Sequence, residues 1–308
     1  MTPQTLMAAV ERLEKTYPAE SQGMSINFTY GKTWEFEALP NRSIALDGAV
    51  LGFEMHPQSQ RYSFDHHAPH RDATHMRFPL RSAVGQVAVA LKLGLNPEGH
   101  TVYVNNLDAD TTMAVFLLVY PSLADNDETA YQVGRIDLTD CHGPVFPPSD
   151  LHVALTHYAK SDQTLEQLYR DLYTIYKWVT DGEGLPVATS LPAEGRAVVY
   201  TQQGAIKHVG ALSGTMDLYR SYDAAAFMLY APLQGGTHKV TVGKRSDFVA
   251  NFSVSRFLDL ANEAETNGTW GGTSTIGGSP RNHREDTLDG SSIPLEVLTD
   301  TFTGCVST

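Results

Sequence analysis

Two stretches of the chain repeat one local order: a short apolar strand, a turn rich in acidic or histidine side chains, and an apolar helix. In residues 101–120 the three parts are TVYV, NNLDADTT and MAVFLLVY. In the earlier stretch the strand covers Tyr62 to Phe64, and the helix at 82–93 stops at a glycine followed by an Asn-Pro pair. Strands that alternate with helices predict an α/β fold with a mainly parallel sheet and flanking helices.

Four more segments of this half are predicted from their patterns. Residues 44–53 (IALDGAVLGF) are expected to form a strongly apolar strand with Asp47 inside it. Residues 2–17 predict an amphipathic helix, and residues 25–39 mix aromatic and polar side chains as an exposed strand or loop does. Residues 162–179 predict a helix whose aromatic stripe packs against the interior.

A change in composition divides the chain into two parts. Residues 181–194 are rich in glycine, proline and small polar residues, which predicts an interdomain linker. At 308 residues the chain is long enough for two domains that each bury a core. We therefore predict a first domain at 1–180 and a smaller C-terminal α/β domain at 195–308. The elements expected in the second domain are strands at 196–201, 224–232 and 238–242 and a helix at 252–263.

The composition argues against two classes of protein. The formal net charge of −13 opposes a protein that holds long nucleic acid through its overall field, because phosphate backbones need clustered lysine and arginine. No run of about 18 apolar residues exists that would cross a membrane. Cys141 and Cys305 are the only cysteines, and no secretory leader opens the sequence. We expect a cytoplasmic protein whose partner is a small molecule.

The first of the two repeated turns carries side chains that bind metal ions. The strand at 61–64 runs directly into Asp65, His66 and His67. Two imidazoles and a carboxylate offer nitrogen and oxygen donors suited to Mn²⁺, Zn²⁺ or Fe²⁺. More titratable side chains flank this triplet, namely His56, His70, Asp72 and His75.

The second turn adds two carboxylates, those of Asp108 and Asp110, between a strand end and a helix start. Ligands of open α/β folds bind in the crevice outside the carboxyl ends of the strands. We therefore expect these aspartates and the Asp-His-His triplet to open onto the same sheet edge. Taken singly, an aspartate after a strand is more often a helix N-cap or a turn former.

A third acidic turn is predicted at 136–144, where Asp137, Asp140 and His142 precede a Gly-Pro pair. Together the three turns supply the oxygen and nitrogen donors of a two-metal site that activates water. Such a site needs no nucleophilic serine or cysteine.

These residues resemble the motifs of the DHH phosphoesterase superfamily. The literal Asp65-His66-His67 is similar to the third motif of that family, and the strand-DxD-helix stretch at 102–113 is similar to the first. The family consists of Mn²⁺-preferring two-metal hydrolases: pyrophosphatases, exopolyphosphatases, short-RNA exonucleases and nucleotide phosphatases. Its members have an α/β catalytic domain followed by a smaller substrate-binding domain, which the resemblance implies for 1–180 and 195–308.

The resemblance also implies roles for the first two clusters. Asp108 and Asp110 would each bind one metal, and His66 would bind the second metal. Asp65 would support the metal cluster, and His67 would contact either a metal or the substrate phosphate. The residues expected to take part directly in catalysis are therefore Asp108, Asp110, His66 and His67.

Two further metal positions are implied with an alternative for each. The lone aspartate of the fourth motif is best matched by Asp140, and Asp137 is its rival. The aspartate of the second motif, which bridges the metals, is best matched by Asp47, and Glu54 is the alternative.

Two features depart from the family pattern. The DxD motif follows Asp-His-His here, whereas the family places it first, so the motif order is permuted. The family usually has a histidine four residues before the first aspartate of DxD, and this chain has Val104. The missing nitrogen ligand could come from His56, His70, His75 or His142.

A glycine-rich stretch at 270–281 is the candidate phosphate site. Gly277 and Gly278 let successive backbone N–H groups turn toward one anion, and Ser279 and Arg281 add a hydroxyl and a guanidinium. The alternative is a flexible Gly/Ser loop without a ligand. The resemblance implies a phosphate role for this stretch and for the cations just before it, which are Lys239, Lys244 and Arg245.

The sequence thus predicts a divalent-metal-dependent phosphohydrolase that uses two cations. Mn²⁺ fits best, and Mg²⁺, Co²⁺, Fe²⁺ or Zn²⁺ are also compatible. The expected substrate is pyrophosphate, a nucleotide or a short oligonucleotide, and a homodimer is compatible with the sequence. One alternative is a non-catalytic metal or nucleotide sensor or assembly module. Another is a mononuclear metal hydrolase that uses His56, His66, His67 and an aspartate.

Overall fold

A computed structural model describes most of the chain, in two compact units. The first unit holds the described residues up to His66, from Arg81 to Asp140 and from Pro148 to Thr189, and the second unit holds the others. The predicted helix at 2–17 and nearly all of the predicted linker lie outside the described residues. The described residues are 23–67, 81–142, 146, 148–161, 163–182, 195–210, 212, 217–246, 248–272, 274–280 and 290–306.

The first unit contains a five-stranded sheet in the order β1-β5-β2-β4-β3. β1, β5, β2 and β4 are parallel, and β3 joins the edge antiparallel to β4. The α/β class with a mainly parallel sheet is therefore confirmed. The strands are β1 (Ser25–Phe28), β2 (Ser43–Leu46), β3 (Glu54–His56), β4 (Arg61–Phe64) and β5 (Thr101–Val104).

The register of the three central strands brings their carboxyl ends to one edge. Ser43 at the start of β2 lies opposite Arg61 of β4 and Thr101 of β5. Leu46 at the end of β2 lies opposite Phe64, the last residue of β4. The chain segments that follow these strands consequently leave the sheet side by side, which is where the sequence places its acidic turns.

The predicted strand at 44–53 is wrong in its length, because β2 ends at Leu46. Asp47 and Gly48 both have positive φ angles, 41° and 81°, and Ala49 N–H donates to Leu46 C=O at 3.0 Å. Two central residues with positive φ define a type I′ turn, for which Asp-Gly is a favoured sequence. The turn leaves the Asp47 side chain at the carboxyl edge of the sheet.

Helices pack around this sheet, and most lie close to where the sequence predicts them. α1 begins after the Ser82 cap, and α2 begins at Ala109, earlier than the predicted apolar run. Every residue of α2 is buried, as expected of a helix that is apolar on all sides. The helices are α1 (Ala83–Lys92), α2 (Ala109–Val119), α3 (Asp127–His142), α4 (Asp150–Ser161) and α5 (Leu165–Asp181), with a 3₁₀ turn at Phe36–Ala38 and another at Pro121–Asp125.

The predicted acidic turn at 136–144 is wrong, because the described residues through His142 belong to α3. Thr129, Val133 and Ile136 are buried at intervals of three and four, so one face of the segment packs against the core. The many polar and acidic residues of the segment make this spacing hard to recognise in the sequence. Asp137 and Asp140 are one turn apart and lie on the same side of the helix.

The aromatic stripe of α5 packs against the interior, as predicted. Tyr169, Tyr176 and Trp178 contact the core of the first unit, and Tyr173 is 36% exposed. Gly182, with φ of 66°, ends the helix in the left-handed conformation that favours glycine.

Asp171 of α5 is an acidic side chain inside this core. It is 1% exposed, Oδ1 accepts a hydrogen bond from Gln167 Nε2 at 2.8 Å, and Oδ2 has no partner among the described residues. Burial raises the pKa of Asp171 to about 7, although the Gln167 bond and the charge of Arg170 act in the opposite direction. Below about pH 7 the folded protein therefore favours the protonated form of Asp171.

We expect Asp171→Asn to stabilise the protein at high pH. Because folding raises the pKa of Asp171, the folded protein has its full stability below the ordinary pKa of 3.8. It loses part of that stability as pH rises toward about 7 and Asp171 ionises. Asparagine stays neutral, so at pH 8 the free energy of unfolding of the variant should be roughly 1–4 kcal/mol higher than that of the wild type. Urea unfolding at pH 5, 6.5 and 8 measures this. Asp181→Asn, on the solvent side of the same helix, should leave the pH dependence unchanged; equal slopes for Asp171→Asn and wild type would contradict the prediction.

The second unit contains a six-stranded sheet in the order β10-β11-β9-β8-β6-β7, in which every pair is antiparallel. The predicted strands at 196–201 and 224–232 are confirmed, and the third continues to Lys244. The elements are β6 (Arg196–Thr201), β7 (Ile206–Val209), α6 (Asp217–Arg220), β8 (Ala224–Pro232), a 3₁₀ turn (Gln234–Gly236), β9 (His238–Lys244), α7 (Val254–Ala264), β10 (Gly271–Gly272), β11 (Ile276–Gly278) and α8 (Leu295–Gly304).

The core of the second unit centres on a fully buried tryptophan. Trp270 packs edge-to-face against Phe257 of α7, with 5.6 Å between ring centroids, and its indole N–H donates to Glu265. Hydroxyl groups of Ser291 and Ser292 donate to the same carboxylate. Burial acts to raise the pKa of Glu265, but these hydrogen bonds outweigh it and lower the pKa.

None of the helices in the described part of the chain combines the length and the apolar character needed to cross a bilayer.

Candidate metal centre

Three side chains of the first unit converge at the carboxyl edge of its sheet. His66 Nε2 lies 2.9 Å from Asp140 Oδ2 and 3.7 Å from Asp47 Oδ1. Asp47 and His66 are 3% and 5% exposed, and Asp140 is 30% exposed. His66 thus has ligand atoms within 4.8 Å of each carboxylate. We refer to these three residues as the Asp47/His66/Asp140 cluster.

Each member of the cluster comes from a different element. Asp47 occupies the type I′ turn after β2, and His66 follows β4 by two residues. Asp140 lies in the last turns of α3. The hydroxyl of Thr111, in the first turn of α2, donates to Asp47 Oδ2 at 3.2 Å. The cluster is therefore held by two strands and two helices of one unit.

Asp65, the first residue of the Asp-His-His triplet, supports the turn that carries Asp47. Its Oδ1 accepts the N–H of Gly48 at 2.8 Å, and its Oδ2 accepts the N–H of Gly52 at 2.6 Å. Both oxygens of this fully buried carboxylate therefore bind the backbone of the 47–52 segment. Asp65 thus supports the turn, and among the described residues it does not belong to the groups of side chains that could hold a metal ion.

Asp108 caps a helix. Its Oδ1 accepts the N–H of Thr111 at 2.8 Å, which is the N-cap bond of α2, and its Oδ2 accepts the side-chain amide of Asn106 at 2.9 Å. The backbone just before it is fixed by Gln163, whose amide bonds both the N–H and the C=O of Leu107 at 2.7 and 2.8 Å.

Asp110 binds the first turn of a different helix, α1. Its two oxygens accept the N–H groups of Ala83 and Val84 at 2.8 and 2.9 Å. Next to them, Asp137 Oδ1 accepts the N–H of Ser82 at 2.8 Å. Two carboxylates from α2 and α3 thus satisfy the N–H groups that a helix start leaves without intrahelical partners.

The electrostatics of this edge are dominated by carboxylates. Burial raises the pKa of Asp110 well above its ordinary value, and the charges of Asp140, Asp47 and Asp108 raise it further. The charge of His66 acts in the opposite direction and lowers the pKa of Asp110. Four acidic groups in so small a volume repel one another, and a cation bound among them would relieve that repulsion.

The rival residues for two of the predicted metal positions have different surroundings. Asp140 contacts His66, whereas Asp137 bonds Ser82 and lies 3.2 Å from Arg81 Nη1. Burial raises the pKa of Asp137, and the Ser82 bonds and Arg81 oppose the rise. Asp47 reaches the cluster, and Glu54 lies on the edge strand β3 opposite Ser63, outside the metal-binding groups among the described residues.

The expected additional histidines are not brought to the cluster by the described part of the chain. His56 pairs with Arg61 at the start of β4, at the end of the sheet opposite to His66, and bonds Ser59 at 2.7 Å. The mononuclear site that includes His56 is therefore wrong. His142 ends α3 and its ring contacts Phe146. His70 and His75 lie outside the described residues.

His67 and Val104 are two further positions at which the sequence predicts or lacks a metal ligand. His67 belongs to the second unit and is half-buried. Val104, where the family has a histidine, is fully buried in the core of the first unit.

Two residues near the cluster were missed by the sequence reasoning. Thr111 directly follows the DxD motif, so its proximity to Asp47 could have been anticipated from the helix start. His152 of α4 is half-buried, and its Nδ1 atom is buried with no hydrogen-bond partner among the described residues. Burial lowers the pKa of His152, and the charge of Asp140 acts in the opposite direction. No sequence signal links α4 to the cluster.

The glycine-rich stretch of the second unit forms part of a sheet. Gly277 and Gly278 pair with Val242 and Thr241 of β9, so this stretch is a short hairpin at the sheet edge. Ser279 N–H donates to Val240 C=O at 2.9 Å, and its hydroxyl accepts the Val240 N–H at 3.0 Å. The sheet thus uses the backbone and hydroxyl groups that the sequence assigns to phosphate.

Four cations are predicted to contact phosphate in this region: Lys239, Lys244, Arg245 and Arg281. Arg245 donates to the carbonyl of Ala224 at 3.0 Å and stacks over the ring of Tyr219 at 5.1 Å, which fixes its guanidinium inside the unit. Arg281 lies outside the described residues.

One imidazole nitrogen and several carboxylate oxygens form a donor set that Mn²⁺, Fe²⁺, Co²⁺ and Zn²⁺ accept. The buried location and the surplus of negative charge fit a divalent cation. Comparison with protein-family models, with curated proteins and with solved structures returned no match to this chain.

Proposed function

We propose that the chain is a divalent-metal-dependent phosphohydrolase acting on a small phosphorylated substrate. The observation that carries this proposal is the position of His66, which lies between the carboxylates of Asp47 and Asp140 at the carboxyl edge of a mainly parallel sheet. Ligands of open α/β folds bind at that edge. The resemblance to DHH phosphoesterases supplies the reaction class.

We assign two divalent cations, Mn²⁺ first among them, to this centre. Asp47, His66 and Asp140 would bind them directly. Asp108 and Asp110 would add ligand oxygens or charge, since a carboxylate oxygen that accepts one N–H keeps a second lone pair. Bound divalent cations would lower the pKa of a coordinated water and neutralise charge on the phosphoryl oxygens.

The residues of the chain have distinct tasks in this proposal. Asp65 and Thr111 hold Asp47 in place, and Asp140 provides the more exposed side through which substrate enters. His67 would contact the substrate phosphate or a metal. We further propose that residues 195–308 act as the substrate-binding domain, with Arg281 as its phosphate contact.

A second candidate is a centre that holds a single cation, in a mononuclear hydrolase or in a metal-binding module without turnover. The observation that favours it is the hydrogen bonding of Asp108 and Asp110, whose four oxygens all accept bonds at helix starts or from Asn106. Metal stoichiometry separates the candidates: two Mn²⁺ per chain support the two-metal enzyme, and one supports the second candidate.

We expect phosphate release when the protein is incubated with Mn²⁺ and the right member of a substrate panel. The panel contains pyrophosphate, tripolyphosphate, 3′-phosphoadenosine 5′-phosphate, cyclic and linear dinucleotides and p-nitrophenyl phosphate. Activity should disappear with a chelator and return with added Mn²⁺. The net charge of −13 leads us to expect little activity on long RNA or DNA. No release from any panel member, with Mn²⁺ bound to the protein, would refute the phosphohydrolase.

A further inference from the structure

The turn that carries Asp47 is held from both sides by side chains of the neighbouring strands. β2 lies between β4 and β5 in the sheet. From the β4 side, Asp65 accepts the N–H of Gly48 at 2.8 Å. From the β5 side, Asn105 Nδ2 donates to the C=O of Gly48 at 2.8 Å. Both polar backbone groups of the second turn residue are therefore bound to side chains that follow adjacent strands.

The conformation of this turn needs such support. Asp47 has a φ of 41°, in the left-handed region that residues other than glycine adopt uncommonly. The direction of its carboxylate depends on keeping that backbone conformation. A small relaxation of the turn would move Asp47 Oδ1 away from His66 Nε2, which now lies 3.7 Å from it.

Asn105 is placed to prevent that relaxation. It is 3% exposed, and its own C=O accepts the N–H of Gly31 at 2.8 Å, so its backbone is fixed at the end of β5. The Gly48 carbonyl also accepts the hydroxyl of Thr33, at 3.1 Å. Of these two donors, Asn105 makes the shorter hydrogen bond. It also links the turn to β5, a central strand of the sheet.

We propose that Asn105 is a positioning residue for Asp47. Its amide locks the Asp-Gly turn in the left-handed conformation and thereby aims the Asp47 carboxylate at His66. The part of this inference that makes Asp47 a metal ligand rests on the proposed function. The part that concerns the direction of Asp47 rests on the hydrogen bonds alone.

The test uses Asn105→Ala and a matched control, Asn262→Ala. In the second unit, Asn262 Nδ2 donates to the backbone C=O of Trp270 at 3.1 Å, which is the same type of bond. Two quantities are measured on the full chain. The first is the ¹⁵N signal of the His66 ring in metal-free protein at one fixed pH, and the second is Mn²⁺ affinity by titration calorimetry.

We expect Asn105→Ala to shift the His66 signal and to weaken Mn²⁺ binding about tenfold, the lower end of the effect of residues that orient metal ligands. Asn262→Ala should change neither quantity, even if it lowers the melting temperature by a similar amount. A His66 signal that coincides in Asn105→Ala and wild type, or that shifts equally in Asn262→Ala, would overturn the inference. If the wild-type protein binds no Mn²⁺, the proposed metal centre is refuted. The His66 signal in metal-free protein would still test whether Asn105 positions Asp47.

Discussion

His66→Ala should weaken Mn²⁺ binding at least about 100-fold and abolish metal-dependent phosphate release. Replacement of residues that merely orient a ligand costs about 10–100-fold in metal affinity, so the loss of a ligand nitrogen should cost more. In this chain the imidazole is also the group that stands between Asp47 and Asp140. Its removal takes away a nitrogen that lies within 3.7 Å of both carboxylates.

The control for this prediction is His56→Ala. His56 is an exposed histidine at the opposite end of the same sheet, so its replacement should leave both Mn²⁺ affinity and turnover unchanged. Titration calorimetry and phosphate release measure the two quantities side by side. If His66→Ala binds Mn²⁺ as wild type does, the cluster is not the metal centre.

Gly272→Ala should strongly destabilise the second unit. Gly272 has a φ of 155°, and a Cβ at this position would overlap the carbonyl oxygen of Ile276 and the Cα of Gly277 on the paired strand. A strained backbone conformation and overpacking each cost about 1–3 kcal/mol, so we expect a loss of about 3–5 kcal/mol. Backbone atoms cannot move aside as the end of a flexible side chain can.

Gly134→Ala is the matched control for the same chemical change. Gly134 lies inside α3, and a Cβ there would meet no atom within 4 Å. Alanine favours helix by about 0.5–1 kcal/mol over glycine, so this variant should be slightly more stable than wild type. Urea unfolding followed by circular dichroism compares the two. An unchanged midpoint for Gly272→Ala would show that the β10–β11 pairing is looser than described.

The part of the fold that could be predicted is the part with local signals. β5 and the helix after it are short and strongly apolar; the structure has β5 where the pattern predicts it, and the helix begins four residues before the predicted apolar run. The α/β class and the mainly parallel first sheet follow from such local signals. The meeting of Asp47 and His66 was implied only by the family resemblance, because the residue pattern placed Asp47 inside a strand that in fact ends at Leu46.

The part that could not be predicted depends on contacts between distant residues. α3 has an acidic composition, and its buried face becomes recognisable only when the core that it packs against is known. Asp110 lies 27 positions from Ala83 in the chain, and nothing local shows that its carboxylate binds the start of α1. The glycines of the 270–281 stretch likewise suit a phosphate loop and a tight hairpin equally well, and pairing with β9 decides between them.

The carboxylates around the start of α1 bear on how the protein would respond to removal of a bound metal ion. Asp110 and Asp137 are held by the peptide N–H groups of residues 82–84, whose partial positive charge is part of the chain itself. Asp65 is held by peptide groups in the same way. In domains whose metal is the main source of stability, removal of the ion unfolds the chain. Here the peptide groups hold Asp65, Asp110 and Asp137 in place without a metal ion. A chelator would therefore remove the ion from a protein that stays folded, and the ion could bind again without refolding.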